Sequence, residues 1–139
     1  MIKKINHIAI IVPDLEASLA FWRDTLGLNL THVEEVKGQE SVVAFLPTGD
    51  SEVELVKPTT ETSGAAKFLA KRGPGLHHIA LEVDNLDEML AHLKEKGVRL
   101  INESPILAAG SNRAAFIHPE SANGVLVELY ETRPASKVS

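Results

Sequence analysis

Cysteine is missing from this chain. That excludes a disulfide framework, a thiolate nucleophile and any cysteine-ligated zinc site, and it fits a reducing compartment. No apolar run approaches the roughly 20 residues that a membrane helix needs. A basic surplus is also missing. Lys and Arg number 14 against 19 Asp and Glu, a net charge of -5, so there is no general basic footprint for nucleic acid. The opening stretch Met1-Ile-Lys-Lys-Ile-Asn-His7 has neither a signal-peptide core nor transit-peptide character. These absences leave a cytoplasmic protein with no membrane or nucleic-acid partner as the expectation.

What is present is an ordinary globular balance, 44% hydrophobic and 24% charged over 139 residues. One domain covering 1–139 is expected, long enough to bury a core without staples. Its organising feature is a repeat. His7-Ile-Ala-Ile10 returns as His78-Ile-Ala-Leu81, and residues 7–20 laid on 78–91 give seven identities in fourteen positions. Shared apolar positions explain the Ile and Leu matches. They do not explain a polar His at the same strand position twice.

The pattern reads as βαβββ, a linker helix, then βαβββ. Module one covers about 1–57, with strands at 4–12, 28–36, 41–47 and 51–57. Its helix follows an Asp14 cap and carries a stripe of Leu15, Leu19, Trp22 and Leu26, stopped at Gly27. The linker, 58–75, contains a short helix from Ala65 to Arg72. Module two covers about 76–132, with a strand at 76–83 and a helix capped by Asn85 and stopped at Gly97. Strands are then expected at 98–103, 113–118 and 124–131.

Strand alternation puts Ile8, Ile10 and Val12 toward the first helix and His7, Ala9 and Ile11 on the opposite face. The second copy puts His78, Ala80 and Glu82 on the corresponding face. Each module closes on Val-Glu-Leu, at Val53-Glu54-Leu55 and Val127-Glu128-Leu129, so the Glu follows its His by 47 and by 50 residues. Duplicated modules place such residues equivalently. Two imidazoles and two carboxylates suit one divalent ion, and the carboxylates offset its charge. His77 and Glu52 compete for the same roles. His32, His92 and His118 fit less well, in a helix or near turns.

These residues resemble the vicinal oxygen chelate superfamily, whose paired βαβββ modules bind a divalent metal on a cupped mixed sheet. The implied fold class is α+β. Within the superfamily the chain is similar to the methylmalonyl-CoA epimerase family. That likeness is carried by Ala66-Lys-Phe-Leu-Ala-Lys-Arg-Gly-Pro-Gly-Leu-His-His-Ile-Ala80, Lys96-Gly-Val-Arg-Leu100, Gly110-Ser-Asn-Arg113 and His118-Pro-Glu-Ser-Ala-Asn-Gly-Val-Leu-Val-Glu-Leu129. It implies His7, Glu54, His78 and Glu128 as metal ligands and one divalent ion, cobalt first, with manganese, nickel or zinc as alternatives. It further implies an acyl-CoA substrate, a homodimer, and Glu128 as an acid/base group.

The implied reaction removes a proton from C2 of methylmalonyl-CoA and returns it on the other face, which requires two proton carriers. Some members of the family carry a Glu on the third strand, where this chain has Val43. Glu40 is a candidate only if a bulge turns it inward. The Gly110–Arg113 loop is a candidate for the substrate carboxylate, and Lys67, Lys71 and Arg72 for the CoA phosphates. The alternatives are a glyoxalase I-like lactoylglutathione lyase, an extradiol dioxygenase and a non-catalytic ligand-binding member.

Overall fold

The computed structural model describes residues 1–132. Within them the chain groups into two compact units. One is His7–His78; the other is Met1–Asn6 together with the residues from Ile79 onward. The eight strands pair both parallel and antiparallel, and three helices accompany them, so the class is α+β.

The unit His7–His78 takes its strands in the order β2-β3-β4-β1. Strand β1 is Ile2–Ile11, β2 His32–Val36, β3 Ser41–Thr48 and β4 Ser51–Pro58. β1 runs parallel to β4, and β4 and β2 run antiparallel to β3. Helix α1, Leu15–Leu19, begins at Asp14, whose side chain accepts the Ala17 N–H and so satisfies an orphan donor of the first turn. Val12, Leu19, Ala44, Leu46, Val53 and Leu55 form the core on the helix side, with Ile8 and Ile10 packed against it. That is the alternation expected of the first strand.

The expected stripe through Leu26 does not hold. The helix continues as a π-helical segment, Ala20–Thr25, closed by the Leu26 N–H on the Phe21 carbonyl at 2.8 Å. Each turn there takes more residues, so a 3.6-residue period loses its face. Leu26 is left 54% exposed. Leu28 and Leu30 pack on the core instead, as irregular chain rather than as the start of β2. Helix α2, Gly64–Arg72, starts at Ser63, whose hydroxyl accepts the Ala66 N–H.

The other unit repeats the wiring with the order β5-β8-β7-β6. β5 is Gly75–Val83, β6 Ile106–Leu107, β7 Arg113–Ile117 and β8 Val127–Glu131. β5 runs parallel to β8, as β1 does to β4. Helix α3, Leu86–Glu95, is capped by Asn85, which accepts the Glu88 N–H. Val83, Leu86, Leu90, Ala115 and Leu129 form its core.

Two expected strands are corrected here. At 98–103 only Leu100 bridges Ile117, because the side chain of Asn102 takes the Phe116 N–H and replaces the next backbone rung. The strand expected at 124–131 starts only at Val127. Asn123 and Gly124 take positive φ and prolong the preceding turn, with the Gly124 N–H on the Pro119 carbonyl.

A candidate metal centre

Strand register decides which side chains share a face. In the first unit Ala9 stands opposite Glu54, His7 opposite Glu52, Phe45 opposite Glu54 and Val43 opposite Val56. His7, Ala9, Glu54, Val43 and Phe45 therefore lie on the sheet face away from the α1 core. The second unit repeats the offset, with Ala80 opposite Glu128. The small Ala two residues after each His is thus the register partner of the Glu that closes the same module. Ala9 and Ala80 are fully buried, and neither adds bulk beside its carboxylate.

His7 is buried, and its Nδ1 lies 3.1 Å from Oε2 of Glu54, itself 7% exposed. A carboxylate at that nitrogen holds the ring proton on Nδ1 and leaves the Nε2 lone pair facing forward. His78 has a neighbour at the same ring nitrogen. Its Nδ1 lies 2.9 Å from Nδ1 of His77, while its Nε2 lies 3.4 Å from Nε2 of His7. The two rings meet edge to face, with centroids 5.5 Å apart. Two imidazole nitrogens bound to one ion at about 2.0–2.1 Å, subtending roughly 90–110°, stand about 3 to 3.4 Å apart. The two forward nitrogens therefore fit one ion. Glu128, on β8, is 3% exposed. His7 and His78 are residues whose donor atoms could hold a metal ion. Imidazole nitrogen and carboxylate oxygen suit a divalent ion of the first transition row.

The competing residues are placed otherwise. Glu52 shares the face of Glu54 but is only half-buried. His77 bonds His78 and packs edge to face on Phe68 of α2, with centroids 5.1 Å apart. His32 stacks on Phe45, His92 lies on α3, and Nδ1 of His118 accepts the Glu120 N–H. The contact of His77 with Nδ1 of His78 was not foreseen. The tandem His77-His78 is the signal that could have shown it, since adjacent imidazoles can share a proton.

Glu40 does not turn inward. It is exposed, in a left-handed turn at φ 50°, before β3 begins its regular pairing at Ser41. Val43, 2% exposed, fills the inward position. Opposite Val43 on β2, and so on the same face, stands the half-buried Glu34. Its Oε1 is 3.8 Å from Nε2 of His32.

Arg113 is not turned toward a substrate carboxylate. It grips Asp87 of α3 through both carboxylate oxygens, at 2.9 and 3.0 Å, and Glu131 at 3.0 Å. The bond to Asp87 raises its pKa above the ordinary guanidinium value. The loop before it is tied down by Asn112, which donates to the Tyr130 hydroxyl at 2.8 Å and to the Ala109 carbonyl at 3.0 Å. Beside α2 lies a cavity of about 520 Å³ lined by Pro13, Pro58, Thr59, Thr60, Leu69 and Ala70, among others. Lys67, Lys71 and Arg72 of that helix are exposed, and the guanidinium of Arg72 lies over the Phe68 ring.

The model of the Glyoxalase/Bleomycin resistance protein/Dioxygenase superfamily matches residues 6–116. Uncharacterized protein YqjC of Bacillus subtilis is 40% identical over 130 residues, 94% of this chain and 93% of that one. The ethylmalonyl-CoA/methylmalonyl-CoA epimerase of Cereibacter sphaeroides is 38% identical over 131 residues, 93% of this chain and 98% of that protein. The crystal structure of methylmalonyl-CoA epimerase from Mycobacterium tuberculosis superposes with a TM-score of 0.91 at 38% identity, covering 96% of this chain and 90% of that one. A methylmalonyl-CoA epimerase solved in complex with methylmalonyl-CoA and NH4+ superposes equally well, with a TM-score of 0.91 at 35% identity and coverage of 98% and 99%. The chain belongs to the Glyoxalase/Bleomycin resistance protein/Dioxygenase superfamily and, within it, to the methylmalonyl-CoA epimerase family.

Proposed function

We propose that this chain interconverts (2R)- and (2S)-methylmalonyl-CoA with the help of one divalent ion held by His7, Glu54, His78 and Glu128. The observation that carries the reading is the pair of backed imidazoles, whose Nε2 atoms converge at 3.4 Å. Glu54, whose Oε2 stands at Nδ1 of His7 and so behind the ring, joins the ligand set by turning from that contact toward the ion. When bound, the ion supplies the positive charge that makes the C–H between a thioester and a carboxylate acidic near neutral pH.

The chain's own residues then move the proton. Glu128 takes or returns it at C2 on one face. Its burial keeps competing water from the proton it carries. Return on the other face needs a second carrier. Val43 cannot serve, and Glu34, its cross-strand neighbour on the same face, is assigned that role. The acyl-CoA arm lies along α2. The cavity beside that helix takes its less polar part, and Lys67 and Lys71 face its phosphates. Cobalt as the native ion, a homodimer and a cytoplasmic location complete the proposal.

The deciding experiment incubates one epimer of methylmalonyl-CoA with cobalt-loaded protein in deuterated water. The expected result is epimerisation with deuterium at C2, abolished by chelator and restored by metal. Absence of exchange with cobalt, manganese, nickel and zinc alike would overturn the reading.

A further inference from the structure

We propose that His77 is a positioning residue for the metal centre: it fixes the proton of His78 on Nδ1 and so presents the Nε2 lone pair of His78 to the ion. The inference rests on the metal site proposed above and adds a residue to it.

The geometry is specific. Two Nδ1 atoms at 2.9 Å are a hydrogen bond only if one carries a proton and the other a lone pair. A neutral imidazole that ligates through Nε2 must carry its proton on Nδ1. His78 is then the donor and His77 the acceptor, with its own proton on Nε2. The opposite arrangement puts the His78 proton on Nε2, aimed at Nε2 of His7 3.4 Å away, and blocks an ion from that nitrogen. A four-residue run, Glu54–His7–His78–His77, thus has two proton arrangements, and only one offers two lone pairs to a metal.

The acceptor is itself held in place. His77 is half-buried, and its ring meets Phe68 edge to face at 5.1 Å. Phe68 is in turn covered by the guanidinium of Arg72, 5.6 Å from its centroid. Packing on α2 therefore orients a ring that has no need to touch the ion. In this structure Glu54 stands at the corresponding nitrogen of His7, 3.1 Å away. One forward imidazole is backed by a carboxylate and the other by a neutral ring, so the module duplication does not extend to the groups behind the ligands.

The test uses the full chain and two substitutions. His77→Asn keeps an oxygen acceptor near the place of Nδ1, whereas His77→Leu removes it and keeps an apolar body against Phe68. Zn2+ and Co2+ affinities are measured by calorimetry with a competing chelator, and the fold of each variant is checked by circular dichroism. Loss of such a partner behind a ligating His weakens metal binding by about 10- to 100-fold. That loss is expected for His77→Leu, with His77→Asn within about threefold of the unsubstituted chain. In the unsubstituted, Zn2+-loaded protein, 15N NMR should show His78 protonated on Nδ1 with a scalar coupling across the hydrogen bond to Nδ1 of His77.

Equal affinity of His77→Leu and the unsubstituted chain overturns the inference, as does an Nε2-protonated His78 in the loaded protein. Tight metal binding weakened by His77→Leu, without exchange at C2 of methylmalonyl-CoA, would sink the epimerase reading and leave His77 in its role. Failure to bind any divalent ion overturns both.

Discussion

Single side chains divide into those the chain's own grammar exposes and those it conceals. The repeated His-Ile-Ala makes His7 and His78 stand out, because a hydrophobic strand has no reason to carry the same polar residue at the same place twice. The structure backs both rings, and Glu54 sits against His7 rather than at a solvated rim. His77 was concealed. Simple strand parity sends neighbours to opposite faces, and it gives no hint that two adjacent imidazoles can meet through Nδ1. Two predictions belong at this scale. Glu128→Gln should lower kcat by about 10²- to 10⁴-fold, the usual worth of a general acid/base group; full activity would remove Glu128 from the chemistry. Glu34→Gln should slow epimerisation more than wash-in of deuterium on the face served by Glu128, and adding Val43→Glu should restore the lost rate. Equal slowing of both processes would assign Glu34 a merely structural part.

Among the elements, caps and breakers were legible because they act locally. Asp14 and Asn85 each accept an N–H three residues ahead. Losing such a cap costs about 0.5–2 kcal/mol, so Asn85→Ala should lower the denaturation midpoint without changing its slope. The π-helical segment was not legible, since a stripe read at 3.6 residues per turn assumes the very ladder that this segment abandons. Nor was the loss of a strand at 98–103, where one side-chain bond from Asn102 displaces a rung. Helix α2 carries a prediction about binding. It has no acidic residue, and two of its exposed lysines lie one turn apart. Lys67→Ala with Lys71→Ala should raise KM for methylmalonyl-CoA several-fold with little change in kcat. A fall in kcat at constant KM would move these lysines away from uniform substrate binding.

On the scale of the whole molecule, the proposed ion is part of stability as well as catalysis. The chain carries net charge -5, and Glu54 and Glu128 bring two of its carboxylates to 7% and 3% exposure. Burying a carboxylate is costly unless a hydrogen bond or a cation compensates it. An ion that binds the folded chain and not the unfolded one stabilises it by about 2.7 kcal/mol at a hundred times its Kd. For a chain of this size that corresponds to a rise in Tm of roughly 10 °C. Thermal unfolding with saturating cobalt and with chelator should show that difference, and it should rise with free metal concentration as linkage requires. Removing a ligand should abolish the response while leaving a folded protein: His78→Ala, whose side chain is only half-buried, should unfold at one temperature with or without cobalt. A Tm that is the same with cobalt and with chelator in the unsubstituted chain would mean that these carboxylates are compensated by the protein alone, and the case for a resident ion would fall with it.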